Sequence, residues 1–185
     1  MPFVAEQPDD ELYEAERASR GYVPNFVRGL SLRPDVYRAW AALNGAVKSN
    51  DERRYELATL AAARRLRSSY CALAHGKILA EKFYDADTVR RLPEGLDEAD
   101  RAVMAFAEQV AADATSVTQA DVDRLRSLGL SDRDIVDVAL AAAARCFFSK
   151  TLDALGIEPD AVYGELEPEL RDALTVGRPI EGAPA

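Results

Sequence analysis

Residues 56–76 have the sequence ELATLAAARRLRSSYCALAHG, which is the most informative segment for both the fold and the chemistry of this protein. It holds the only histidine of the chain, His75, and one of its two cysteines, Cys71. The apolar residues recur at helical spacing, so we expect two consecutive helices. On the second helix Cys71 and His75 stand at positions i and i+4, which makes their side chains neighbours on one face. An imidazole in that position can take the thiol proton, directly or through a water molecule, and create a nucleophilic thiolate.

The start of the second helix favours the same chemistry. Ser68 is a natural N-cap, and it puts Cys71 in the first helical turn. The positive end of the helix dipole favours a thiolate in that turn. Ser68 also stands three residues before Cys71, where a Cys-x-x-Cys redox motif would carry its first thiol. The neighbouring Tyr70 either supplies a hydroxyl to the site or packs against it.

Glu56 lies on the preceding helix, on a face that it shares with Leu60 and Ala63. A carboxylate on a mostly apolar face is costly unless it is paired, and its candidate partners are a nearby arginine and the imidazole of His75. In the second case a Glu–His–Cys relay would form, with the carboxylate orienting the ring and stabilising the imidazolium.

The same residues have ordinary structural interpretations. A cysteine on an alanine-rich helix is commonly a small core residue, and a single histidine is commonly a hydrogen-bonded structural group. Glu56 could equally be ion-paired or exposed. Cys71 and His75 alone make a poor zinc site, because structural zinc takes four ligands. We therefore expect neither a metal nor another cofactor.

Composition excludes several classes of protein. The chain has 185 residues and a net charge of −9, which disfavours binding to the phosphate backbone of nucleic acids. The short basic segment 64–67 is interpreted as a solvated helix face or as a source of ion pairs at an interface. No apolar run approaches the roughly 18 residues of a membrane-spanning helix. The first residues lack the basic and apolar regions of a secretory signal, so we expect a reducing cytoplasm and no disulfide between the cysteines.

The pattern predicts an all-α protein with a single domain. Residues 1–33 are interpreted as an N-terminal arm, 34–156 as the helical core and 157–185 as a C-terminal extension rich in Pro and Gly. Ser49 is the predicted cap of the helix that carries Glu56. On the preceding helix, Val36, Trp40 and Leu43 are predicted to share one face. The expected helices cover residues 9–20, 34–48, 49–67, a segment ending near 84, 98–112, 118–128 and 132–155.

The spacing of these residues resembles a known motif. Glu56, an eleven-residue gap, Ser68-Ser69-Tyr70-Cys71 and then His75 resemble the core of the alkylhydroperoxidase D and carboxymuconolactone decarboxylase superfamily. That motif is Glu, eleven residues, Cys-x-x-Cys, three residues, His, and here Ser68 replaces the first cysteine. Residues 21–26, 71–76 and 147–156 resemble its uncharacterised peroxidase-related branch, and the resemblance covers roughly residues 20 to 180.

The resemblance implies an all-α, alkylhydroperoxidase D-like helical fold and homo-oligomers, as dimers, trimers or hexamers. In the alkylhydroperoxidase D branch the second motif cysteine, matched here by Cys71, attacks the peroxide. The matching His75 and Glu56 relay protons. The first cysteine resolves the sulfenic acid as a disulfide, which Ser68 cannot do. Cys146, the only other thiol, is then the candidate resolving group, unless a small thiol or a partner protein serves.

Three functions follow as hypotheses. The first is a cysteine-dependent peroxidase that reduces a hydroperoxide through Cys71 with an unidentified thiol reductant, His75 being the base and Glu56 its partner. The second is a cofactor-free acid–base enzyme of the carboxymuconolactone decarboxylase type, in which the His75–Glu56 pair acts on a small carboxylated or lactone substrate. The third is a non-catalytic helical oligomer that senses redox state or binds a partner.

Overall fold

A computed structural model describes residues 2–48 and 51–183, and within these ranges it contains helices and no strand. The predicted all-α fold is confirmed. Short 3-10 turns at Ala114–Ser116 and Ala161–Glu165 accompany the longer helices. The α-helices are α1 (Asp10–Arg20), α2 (Asn25–Leu30), α3 (Pro34–Val47), α4 (Glu52–Arg65), α5 (Ser69–Lys82), α6 (Ala86–Arg91), α7 (Glu98–Asp113), α8 (Gln119–Ser127), α9 (Asp132–Ala154) and α10 (Pro168–Leu174).

Polar caps set most helix starts. The side chains of Asp9, Asp97 and Ser131 each accept the backbone N–H of the third residue that follows, which satisfies a donor that the helix leaves free. The predicted cap Ser49 lies outside the described residues. The N-cap of α4 is Asp51, whose carboxylate accepts the N–H of Arg54.

Helix α4 is the central element of the fold. It packs against α5, α7 and α9, and its residues 55–63 are all buried. Small side chains at 61–63 allow the neighbouring helices to approach. Since every face of this segment is covered, Glu56 must find its polar partner inside the protein.

The predicted apolar face of α3 is partly wrong. Its buried residues are Tyr37, Trp40 and Val47, whereas Leu43 is exposed. Helix α3 lies at the edge of the bundle, where it packs on α2 and α9, so only a narrow stripe is covered.

Residues near both chain ends meet at the buried carboxylate of Asp160. It accepts the backbone N–H of Asn25 at 2.6 Å and the hydroxyl of Tyr22 at 3.3 Å. It also accepts the hydroxyl of Tyr70, at the start of α5. The arm and the C-terminal extension are thereby tied to the helix that carries Cys71, while their boundaries at residues 33 and 156 stay a prediction.

No helix among the described residues is long and apolar enough to cross a bilayer.

Candidate functional site

Glu56 and His75 form a buried pair. The carboxylate of Glu56, 1 % exposed, lies 2.5 Å from Nδ1 of His75. Helix α4 presents the carboxylate and α5 presents the ring, and the two helices pack directly against each other. Of the two partners that the sequence left open for Glu56, the structure brings His75 into contact.

The other ring nitrogen of His75 contacts Arg145 of α9. Nη1 of Arg145 lies 3.1 Å from Nε2, and its Nη2 donates to Oδ1 of Asn44 at 2.5 Å. A guanidinium has only donors, so Nε2 must accept. The ring proton is therefore on Nδ1 and is donated to Glu56. Asn44 in turn accepts from the hydroxyl of Tyr55, which completes a chain of polar groups from α4 to α3.

Burial lowers the pKa of His75 below its ordinary value of 6.5. The hydrogen bond from the ring to Glu56 and the charge of that carboxylate act in the opposite direction, while the charge of Arg145 lowers the pKa further. The neutral ring is the favoured state, in agreement with its acceptor role at Nε2.

Cys71 lies one helical turn before His75 on the same helix. Its thiol is 2 % exposed and makes no hydrogen bond to any described residue. The lone pair of His75 that would accept the Cys71 proton is instead engaged by Arg145. Cys71 and His75 nevertheless line the same cavity, of about 340 Å³.

Aromatic side chains form much of the cavity wall. Phe148 stacks on Trp40 with ring centroids 4.6 Å apart, and Phe26 packs edge-on against Phe148 and Tyr70. The lining residues are Arg20, Phe26, Tyr37, Trp40, Ala41, Asn44, Gly45, Tyr70, Cys71, Ala74, His75, Arg145, Phe148 and Tyr163. Aromatic surface beside convergent polar groups is typical of a small-molecule site.

The remaining predicted residues lie around this centre. Ser68 is the N-cap of α5 by backbone conformation and is fully buried, although its hydroxyl does not make the cap hydrogen bond. The Tyr70 hydroxyl is directed to Asp160 and not to His75. Burial and the charge of Asp160 raise the pKa of Tyr70 far above its ordinary value.

Cys146 is half-buried on α9 and is not among the residues that line the cavity. Both cysteines are free.

Arg145, Asn44 and Asp160 are site residues that were not predicted from the sequence. Arg145 had a detectable signal, since it is the single charge in the run 138–148, VALAAAARCFF. A lone arginine within an apolar helix segment needs a buried polar partner. Asn44 and Asp160 carry no comparable signal, because nothing near them in sequence shows that they become buried acceptors.

The described residues contain no group of three or more His, Cys, Asp or Glu side chains that could hold a metal ion.

Solved structures share this arrangement of helices. An alkylhydroperoxidase AhpD core, an uncharacterised peroxidase-related protein of Ralstonia eutropha JMP134, superposes with a TM-score of 0.73 at 29 % identity, covering 84 % of this chain and 88 % of that one. The chain has the alkylhydroperoxidase D-like fold. The resemblance to the uncharacterised peroxidase-related branch of this superfamily is thereby confirmed.

More distant members of the alkylhydroperoxidase D-like fold show its breadth. An uncharacterised peroxidase-related protein of Silicibacter sp. TM1040 gives a TM-score of 0.73 at 23 % identity, covering 84 % of this chain and 86 % of that one. The debrominase Bmp8, as a cysteine-to-alanine variant with 2,3,4-tribromopyrrole, gives 0.70 at 16 % identity, covering 93 % and 95 %. No family model and no curated protein matches the sequence. Because the fold carries different activities, function must be argued from the site.

Proposed function

We propose that this protein is a thiol-dependent peroxidase of the alkylhydroperoxidase-like kind, with Cys71 as the nucleophile. The observation that carries the proposal is the opening of Cys71 and His75 into one aromatic-lined cavity, with Glu56 bonded to the far side of the ring. Nucleophilic catalysis uses this arrangement, in which a base activates the nucleophile and a third group orients the base.

The proposed reaction begins with the proton of Cys71. It moves to Nε2 of His75 after the hydrogen bond from Arg145 to that nitrogen breaks. Glu56, which accepts the proton on Nδ1, stabilises the resulting imidazolium. The thiolate attacks the terminal peroxide oxygen, an S–O bond forms and the O–O bond breaks. The departing alkoxide takes the proton from His75, which yields an alcohol and a Cys71 sulfenic acid.

We propose that an external thiol completes the cycle. Ser68 supplies no thiol, and Cys146 does not line the cavity. One thiol would condense with the sulfenic acid to a mixed disulfide and water, and a second would release Cys71 as a thiol. Two free cysteines and a thiol reductant both suit a reducing compartment, so we propose the cytoplasm.

The test is consumption of cumene hydroperoxide with dithiothreitol as the thiol donor. Cys71→Ser is expected to reduce the rate to the uncatalysed background, whereas Cys146→Ser should retain it. Trapping with dimedone should label Cys71 after peroxide treatment. Full activity in Cys71→Ser, or no turnover by the unaltered protein, contradicts a Cys71 peroxidase, and loss of activity in Cys146→Ser contradicts the external thiol.

A second candidate function is acid–base catalysis without the thiol. It is supported by the polar chain from Glu56 through His75 to Arg145, which is complete without a hydrogen bond to Cys71. In that case Cys71→Ser would keep activity on a lactone or carboxylated substrate, and His75→Gln would lose it.

We further propose that another copy of the chain covers an exposed stripe on α9. Val136, Leu140 and Phe147 are spaced for one helix face, and each is between 44 % and 54 % exposed. The exposed Leu43 of α3 extends the apolar surface, and the stripe fits the expected homo-oligomer.

A further inference from the structure

Among the described residues, the buried cation Arg145 meets only neutral acceptors. It is 3 % exposed, and its hydrogen bonds go to His75 Nε2 and Asn44 Oδ1. No carboxylate lies within ion-pair distance of its guanidinium among the described residues, since Glu56 contacts the opposite side of the imidazole. Burial of a charge without an adjacent countercharge is costly.

One donor of Arg145 is also unused. Its Nε makes no hydrogen bond although the atom is fully buried. A guanidinium offers five N–H donors in a planar fork that fits the two oxygens of a carboxylate. Because Arg145 lines the cavity, this unused donor leaves hydrogen-bonding capacity that an acceptor on a ligand can satisfy when the guanidinium turns toward it.

The charge of the cavity differs from that of the protein. The chain as a whole carries −9, yet the cavity lining contains Arg20 and Arg145 and, among the described residues, neither Asp nor Glu. Arg20 is paired with Glu16 at 2.9 Å and is half exposed. The carboxylate and the solvent therefore weaken the attraction of Arg20 for an anion in the cavity. Arg145 is therefore the main positive group that a bound molecule would meet.

We infer that the cavity binds a small organic carboxylate, with Arg145 holding the carboxylate and the aromatic walls holding the apolar body. The guanidinium already packs on Trp40, 5.0 Å from the ring centre, and on Phe148 at 5.4 Å, which fixes its plane. A volume of about 340 Å³ suits a molecule with one aromatic ring or a short chain. As a substrate class this means hydroperoxides that carry a carboxylate, and that extension rests on the proposed function, whereas carboxylate binding does not.

The chain contains one tryptophan, Trp40, and it lines this cavity, so its fluorescence can report on binding there. The experiment titrates the protein with 3-phenylpropanoate and with the neutral amide of the same shape, 3-phenylpropanamide. Isothermal titration calorimetry gives a second measure of the dissociation constants. We expect the acid to bind about ten- to a hundredfold more tightly than the amide, since hydrogen bonds to charged groups contribute that much.

Two variants test the role of Arg145. Arg145→Met keeps the length and packing of the side chain, and it should remove the preference for the acid while leaving the amide's affinity within a fewfold. Arg133→Met, an exposed arginine of the same helix, is the matched control and should keep the preference. Circular dichroism and the thermal midpoint verify folding, and Arg145→Lys provides a second variant if Arg145→Met does not fold. Arg145→Lys keeps the charge but loses the planar fork, so it should retain only part of the preference.

The inference is overturned if acid and amide bind equally, if neither binds at millimolar concentration, or if a folded Arg145 variant keeps the full preference. The binding measurement on the unaltered protein is independent of turnover. If the unaltered protein binds the acid with the expected preference but consumes no hydroperoxide, the peroxidase proposal fails and the carboxylate site stands. If the protein consumes hydroperoxide but shows no preference for the acid, the peroxidase proposal stands and the carboxylate site is overturned.

Discussion

At the scale of single residues, the interior of this protein is organised around a histidine whose two nitrogens have different partners. Nδ1 faces Glu56 and Nε2 faces Arg145, so a negative and a positive group are separated by one neutral ring. Each charge is costly to bury by itself, and the ring connects them through hydrogen bonds. Removal of His75 would leave both charges without this link.

The depressed pKa of His75 predicts a pH dependence of stability. In the unfolded chain the imidazole titrates near 6.5, and in the folded protein below that value. The unfolded state therefore binds more protons as pH falls through 6.5, and the free energy of unfolding should decrease, by at most about 1.4 kcal/mol per pH unit. Urea unfolding between pH 5 and 8 measures this slope.

The control is His75→Gln, which keeps polar contacts but does not titrate. Since His75 is the only histidine, the slope between pH 5 and 7 should become flatter in this variant. An unchanged slope would show that the pH dependence has another source. The buried Asp160, whose pKa is raised by burial, is not that source. A raised carboxyl pKa acts with the opposite sign, because its stabilisation is lost as pH rises.

The contact between Tyr70 and Asp160 predicts a second residue-scale effect. Tyr70→Phe removes a buried donor from a carboxylate that the fold continues to bury, so we expect a loss of about 1–3 kcal/mol in the free energy of unfolding. Asp160→Asn and the double variant complete a thermodynamic cycle. Additive losses in this cycle would mean that the two groups do not interact.

At the scale of elements, helix α5 depends on close packing against α10. A Cβ placed on Gly76 would lie 2.5 Å from Cδ1 of Leu174, and Leu174 is fully buried. Gly76 therefore keeps α10, part of the C-terminal segment, in contact with the helix that carries Cys71 and His75. An added methyl group at Gly76 fits only if the Leu174 side chain moves.

Gly76→Ala should destabilise the protein by about 1–3 kcal/mol through overpacking. The matched control is Gly45→Ala in α3, where an added Cβ meets nothing within 4 Å. There the gain in helix propensity should stabilise by about 0.5–1 kcal/mol. Thermal or urea unfolding of both variants measures the difference, and equal effects at the two positions would contradict the role of close approach.

At the scale of the whole molecule, the exposed stripe on α9 predicts self-association. Leu140→Glu places a charge in the centre of the stripe, and it should shift the protein toward monomer in light scattering coupled to gel filtration. Ala120→Glu on the exposed surface of α8 adds the same charge elsewhere and should leave the mass unchanged. A monomeric unaltered protein, or an oligomer insensitive to Leu140→Glu, would rule out this face as the interface.

Most of the helices could be predicted from the sequence, because caps, glycine stops and apolar periodicity are local signals. The sequence predicts a helix over 132–155, and α9 runs from Asp132 to Ala154. Helix α1 ends at Arg20, and its C-cap is Gly21, whose φ of 83° suits glycine. The face of α3 was harder to predict, since its exposure depends on its position at the edge of the bundle.

The helical class of the fold and the order of Glu56, Ser68, Cys71 and His75 on two consecutive helices could be predicted from the sequence. These features depend on spacings of a few residues, for which helix geometry is sufficient. The contact of His75 with Arg145, 70 positions away, and that of Tyr70 with Asp160, 90 positions away, are visible only in the folded protein. Such contacts follow from how whole helices pack and which charges they jointly bury, and no local spacing encodes that arrangement.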